Sequence, residues 1–224
     1  MTSALSGATW LFDLDNTLHN ATPHIFPHIS HSMTAYVARE LGLDEAGAGR
    51  VRTDYWLRYG ATLTGMMRNH GTDPHRFLKE THDFADLPRM LVFDRGLRAM
   101  LRRLPGRKLI FTNAPADYAR AVLAATGISG EFDGVYAIEQ MRFRPKPALA
   151  AFRRLLAREG LVASRCIMVE DTLENLTAAK RLGMKTVWVS SAVRTPPQVD
   201  ARIRSILDLR RAIGALYRLR DRHG

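Results

Sequence analysis

Cys166 is the only cysteine in the 224 residues, so no internal disulfide staples the chain, and a reducing, cytoplasmic setting is expected. The thiol opens the apolar run Cys166-Ile167-Met168-Val169, which reads as a buried structural position and not a reactive one. No apolar stretch approaches the roughly 20 residues that a membrane span needs, so no membrane partner is expected. The first ten residues carry no basic segment ahead of an apolar one, which argues against a secretory signal. Internal repeats, low-complexity tracts and long linkers are also missing. Acidic residues are the scarce charges: 22 Asp and Glu against 33 Lys and Arg leave a formal net charge of +11. Such an excess suits nucleic acid, anionic lipid or small phosphorylated ligands. Here it is mostly arginine scattered along the chain, so a solvated basic surface is the plainer account, and nucleic acid is a less favoured partner. The positive field would still draw a phosphorylated substrate towards a cleft.

What is present suits a globular chain with an ample core, or a core domain carrying an inserted lobe. Four short apolar runs read as buried parallel strands: residues 9–14, 108–112, 165–169 and 185–189, with a weaker one at 134–138. Helical patterns lie between them at 117–126, 148–159 and 175–182, each followed by a glycine that ends a helix cheaply. This alternation predicts an α/β, doubly wound parallel sheet of Rossmann-like form. Residues 19–93 break the rhythm. Phe26, Ile29, Met33 and Val37 recur at helical spacing around Pro27, a good first helical residue, and further helices are expected over 46–59, 62–69 and 75–81. An all-helical block inserted after the first strand predicts a cap over a core made of 1–18 and 94–224. The C-terminal stretch from Ile203 to about Leu219 places Ile206, Leu209, Ile213 and Leu216 on one helical face, with arginines largely on the other.

The first strand delivers Asp13-Leu14-Asp15-Asn16-Thr17. Two carboxylates at the end of an apolar run repel one another unless a cation neutralises them, and strand carboxyl ends are where open α/β sheets bind ligands. Taken alone, the pair could equally cap a helix. Thr112-Asn113 follows the second strand with a hydroxyl and an amide suited to phosphate oxygens, although a turn would use the same residues. Lys146 stands between Pro145 and Pro147, which could aim it, or mark a surface turn. Glu170-Asp171 ends another strand, and Asp13, Asp15 and Asp171 together would suit Mg²⁺, a hard cation that prefers oxygen ligands.

Asp-x-Asp-x-Thr, Thr-Asn, Lys and Glu-Asp, in this order at strand ends, resemble the four motifs of the haloacid dehalogenase (HAD) superfamily. The inserted block resembles its small helical C1 cap. Many capped members have Gly where this chain has Asn16. Asp-Leu-Asp-Asn-Thr-Leu, Phe-Thr-Asn-Ala-Pro, Arg-Pro-Lys-Pro and Val-Glu-Asp-Thr-Leu-Glu-Asn-Leu look most like the pyrimidine 5′-nucleotidase branch. The interval from Glu139 to Lys146 is short beside other members. The resemblance implies Asp13 as nucleophile and metal ligand, and Asp15 as acid then base, with its carbonyl on the metal. Thr112, Asn113 and Lys146 would bind phosphate, and Asp171 would be the other metal ligand. Glu170 would act through water or behind the ligands, and Asn175 would bond the metal loop or cap its own helix. Tyr55, Trp56 and Tyr59 would stack a base or pack the cap. The implied substrate is a small phosphorylated metabolite, a (pyrimidine) nucleoside 5′-monophosphate, with a sugar phosphate or phosphoglycolate as the rival. A basic nucleic-acid-binding protein on a retired scaffold is the rival from another class. His19, His24, His28 and His31 crowd together in sequence but do not share one helical face, so a solvated or substrate-facing cap is preferred to a metal site.

Overall fold

The computed structural model describes residues 7–218. Strand β1 (Thr9–Phe12) is followed by four helices, α1 (Ile25–Leu41), α2 (Glu45–Tyr59), α3 (Thr62–His70) and α4 (Pro74–Thr81). Two short helices, α5 (Leu87–Met90) and α6 (Leu97–Arg102), lead into β2 (Arg107–Phe111), α7 (Ala116–Ala125) and β3 (Gly134–Tyr136). The chain continues through α8 (Leu149–Glu159), β4 (Cys166–Glu170), α9 (Leu173–Arg181), β5 (Lys185–Val189), β6 (Ala201–Ile203) and α10 (Leu209–Arg218).

The six strands form one parallel sheet in the order β3-β2-β1-β4-β5-β6. Alternate side chains of each strand bury against opposite layers. Trp10 and Phe12 join one apolar cluster with Ile110, Val169 and Val187, whereas Leu11 joins the other with Phe111, Met168 and Trp188. Burial on both faces explains why these strands read as nearly continuous apolar runs. After β3 the chain crosses back to lay β4 beside β1, so the order reverses between those two strands. That reversal opens a crevice at their carboxyl ends.

The first strand stops at Phe12, two residues earlier than its apolar run predicts, although Asp13 N still bonds Val169 O at 3.0 Å. A sixth strand, β6, lies where a helix was expected to begin. The C-terminal helix starts only at Leu209, and the expected end near Leu219 lies outside the described residues. Leu209, Ile213 and Leu216 are buried as the periodicity predicts, and Arg210 and Arg211 face outwards. Helix α1 begins at Ile25, which puts Pro27 in its first turn and not at its first position.

Helices α1–α4 build an apolar cluster of their own from Tyr36, Val37, Ala48, Leu63, Met66, Phe77 and Leu78, joined from the sheet side by Ile138. The segments entering and leaving this block run side by side, with Asn20 N donating to Val92 O at 2.7 Å. Asp44 and Asp73 cap α2 and α4, each accepting from backbone amides of its first turn.

Candidate active site

Four chain segments meet at the sheet's carboxyl edge. β1 delivers Asp13, β2 delivers Thr112 and Asn113, and β4 delivers Glu170 and Asp171. The loop after β3 swings Lys146 back beneath them. Lys146 Nζ donates to Asp13 Oδ1 at 2.8 Å and to Glu170 Oε2 at 2.7 Å, with all three side chains buried or nearly so. Asn113 holds the lysine's backbone from both sides: its Nδ2 donates to the Lys146 carbonyl at 3.0 Å and its Oδ1 accepts from Lys146 N at 2.7 Å. Its side chain therefore positions the lysine. Thr112 is buried, and its Oγ1 accepts from Ala114 N at 3.0 Å.

Carboxylate oxygens of Asp13, Glu170 and Asp171 lie within 4.8 Å of one another, and among the described residues this is the group of three acids that could hold a metal. Three carboxylates share one ammonium here, so the buried cluster is short of positive charge. Burial, then the charge of Glu170, push the Asp13 carboxyl up to about 8 against the pull of Lys146. Burial likewise raises Glu170 and Asp171. Burial also pulls on the Lys146 ammonium, but Asp13 and Glu170 outweigh it and hold the group above its usual range. A divalent ion would supply the missing charge and return Asp13 to its ionised form. The donor set therefore fits Mg²⁺. Asp171 is better placed as a ligand than Glu170, whose two oxygens are taken by Lys146 Nζ and, at 3.3 Å, Thr172 N. Trp188 Nε1 anchors the loop after β4 by donating to the Asp171 carbonyl at 2.8 Å.

Asp15 sits to one side of this cluster. Tyr118 donates its hydroxyl to Asp15 Oδ1 at 2.7 Å, and His19 Nε2 lies 2.9 Å from the same oxygen. Burial and the charge of Asp15 push Tyr118 well above its ordinary range, which keeps it a donor. The motif reading missed both partners. His19 was visible only as one of a run of histidines, and Tyr118 lies about a hundred residues away in sequence. The four histidines do not converge: His19 turns into the core, His28 Nε2 meets Asp83 O at 2.7 Å, and His24 and His31 are exposed. Asn16 adopts φ 56, a left-handed conformation open mainly to Gly and Asn, and its Oδ1 accepts from Ala21 N at 2.9 Å.

Asn175 lies buried in the first turn of α9, whose cap position is Thr172, so it does not cap its own helix. Beside the cluster, a cavity of about 600 Å³ separates α1–α4 from the sheet. Asn113, Ile138, Phe143 and Pro145 line its floor, and Arg52 and Trp56 of α2 line its far side. Tyr55 and Tyr59 do not line it: Tyr55 bonds His70 Nε2 at 2.6 Å and packs on Gly65, and Arg68 covers the Tyr59 ring.

Residues 8–183 match the family model described as haloacid dehalogenase-like hydrolase. The chain belongs to that family. Among curated relatives, the 5′-nucleotidase of Pseudomonas aeruginosa is 28% identical over 196 residues, covering 84% of each chain. A phosphoglycolate phosphatase of Pectobacterium atrosepticum is 27% identical, covering 80% of this chain and 78% of that one. Phosphate metabolism protein 8 of Saccharomyces cerevisiae is 26% identical over 192 residues, or 78% of this chain, but the match spans only 59% of the yeast protein's length. The fold is shared with a HAD phosphatase of Thermococcus onnurineus at a TM-score of 0.66 and 23% identity, covering 93% of this chain and 98% of that one. No helix among the described residues is long and apolar enough to cross a membrane.

Proposed function

We propose that the protein is a Mg²⁺-dependent phosphomonoester hydrolase that works through an aspartyl-phosphate on Asp13. The observation that carries this reading is the buried Asp13–Lys146–Glu170 chain beside Asp171, in which three carboxylates share one ammonium. Asp13, Asp171 and the Asp15 carbonyl would hold the ion, which supplies positive charge to the nucleophile and to the phosphoryl oxygens. Asp13 attacks phosphorus, the bond to the leaving oxygen breaks, and Asp15 gives that oxygen a proton. Water then attacks the acyl phosphate, Asp15 takes the water's proton, and inorganic phosphate leaves. Thr112 and the Asn113 amide hold the transferring oxygens, and Lys146 balances their charge. Glu170 orients Lys146, and Asn175 supports the loop behind Asp171.

In this reading residues 19–93 form a cap whose inner wall selects the leaving group. We take the substrate to be a nucleoside 5′-monophosphate, with pyrimidines preferred. The likeness to a 5′-nucleotidase over 84% of both chains and a cavity large enough for a nucleoside support it. The likeness to a phosphoglycolate phosphatase keeps a small carboxylated substrate as the competing choice. Phosphate release from uridine, cytidine, adenosine and guanosine monophosphates, phosphoglycolate and glucose phosphates, measured with and without Mg²⁺, decides between them. Turnover that requires the metal and favours pyrimidine nucleotides supports the full reading. A non-nucleotide ahead by about tenfold leaves the phosphatase and removes the nucleotidase.

A further inference from the structure

The wall of the 600 Å³ cavity is mostly apolar, with Phe26, Met33, Trp56 and Phe143 among its residues, yet Arg52 projects its side chain into that lining. Among the described residues, no aspartate or glutamate lines the cavity and no ion pair reaches Arg52. His82, also in the wall, is held neutral because burial lowers it to about 4. Among the described residues that line the cavity, Arg52 thus carries the one permanent charge. Burial pulls its guanidinium below the ordinary value, with no nearby carboxylate to offset that pull. A half-buried charge without a counter-charge is costly, and one that faces a ligand cavity is satisfied when the ligand brings the acceptor.

The guanidinium is also held in place. Its protein bonds leave through Nη1, to Ser30 O at 2.7 Å, to Ser30 Oγ at 3.1 Å and to Thr34 Oγ1. Nε is buried without a partner, and so is Thr64 Oγ1 in the same wall. Pinning one nitrogen fixes the plane of the fork and leaves its other edge, the one that pairs two-pronged with planar oxygen acceptors, without a protein partner. Polar groups left unpaired at a built site are paired by substrate.

We propose that Arg52, aided by Thr64, reads a planar oxygen acceptor on the leaving group, either a carboxylate or the ring carbonyl of a pyrimidine base. The proposal rests on the phosphatase reading and adds the chemical class of the group that leaves. Trp56, 61% exposed at the cavity's edge, offers a flat surface for the same group. A substrate whose leaving group lacks such an oxygen leaves the arginine unpaired and pays for it in kcat/KM.

The test compares wild type, Arg52→Met, Arg52→Lys and Thr64→Val on uridine monophosphate, phosphoglycolate and phenyl phosphate, each with Mg²⁺. Phenol carries no further oxygen, so phenyl phosphate reports the phosphate-handling machinery alone. Arg52→Met is expected to lose at least about tenfold more kcat/KM on one acceptor-bearing substrate than on phenyl phosphate, mainly through KM. Arg52→Lys should fall between, because an ammonium keeps the charge and loses the fork. A selective loss with uridine monophosphate identifies a base carbonyl, and one with phosphoglycolate identifies a carboxylate. Equal losses on all three substrates overturn the proposal, as does wild type that handles phenyl phosphate as efficiently as both others. Thermal unfolding of each variant separates misfolding from specificity, and Thr64→Val supplies an independent reading if Arg52→Met fails to fold. Phenyl phosphate turnover that Asp13→Asn abolishes keeps the phosphatase reading standing whatever Arg52 does.

Discussion

Lys146 is the buried cation between Asp13 and Glu170. Lys146→Met would leave both carboxylates buried without it, a change of the class that costs about 3–5 kcal/mol. We expect a lower urea midpoint in metal-free protein, partly recovered by Mg²⁺, and activity reduced by about a hundredfold or more. An unchanged midpoint would mean that the carboxylates find another partner. His82 gives a pH prediction. Its folded pKa, lowered to about 4 by burial, lies below the ordinary 6.5, so the unfolded chain binds more protons between those values. Its contribution is therefore complete above about pH 6.5 and is lost as pH falls towards 4, at no more than about 1.4 kcal/mol per unit. Unfolding at pH 7 and pH 5 should show a smaller drop for His82→Gln than for wild type. Equal drops would place the proton uptake elsewhere. The motif residues were legible because carboxylates at the end of an apolar run demand an explanation. His19, Tyr118 and Arg52 were not, because what marks them is a missing or distant partner, and only the folded chain shows that.

At the scale of elements, the apolar runs that became β1, β2, β4 and β5 were plain in the sequence because both sheet faces are buried. The three-residue β6 was hidden, because Ala201–Ile203 is too short to show a period and directly precedes a helical pattern. In the helical block, α2 and α3 approach closely at Gly65, where an added Cβ would lie 2.2 Å from the Tyr55 ring. Gly65→Ala should therefore push the two helices apart and destabilise the block by about 1–3 kcal/mol. The variant should also raise KM more than it lowers kcat, since Arg52 and Thr64 ride on those helices. A thermal midpoint within a degree or so of wild type would show that the Tyr55 side chain yields without cost. Tyr55 and Tyr59 looked like base-stacking candidates because their spacing in sequence cannot tell the inner face of a helix from its packed flank. Only Trp56 of the three reaches the cavity wall.

Across the whole molecule, the sheet order brings the ends of β1, β2 and β4 together, and the crossover after β3 returns Lys146 to them. Residues more than a hundred apart in sequence thereby form one buried charge cluster. The described arginines that contribute to the +11 net charge are largely exposed, so they add a field that attracts anions. Raising salt should accordingly lower kcat/KM for a phosphorylated substrate more than kcat, in a steady-state series at fixed Mg²⁺. The covalent step on Asp13 is the event on which the proposed chemistry turns. Quenching the enzyme during turnover with Mg²⁺ and substrate, reducing the acyl phosphate with borohydride and mapping the modified peptide tests it directly. Modification is expected at Asp13 alone, dependent on both metal and substrate and absent from Asp13→Asn. Modification at a different residue, or rapid turnover by a folded Asp13→Asn protein, would contradict it.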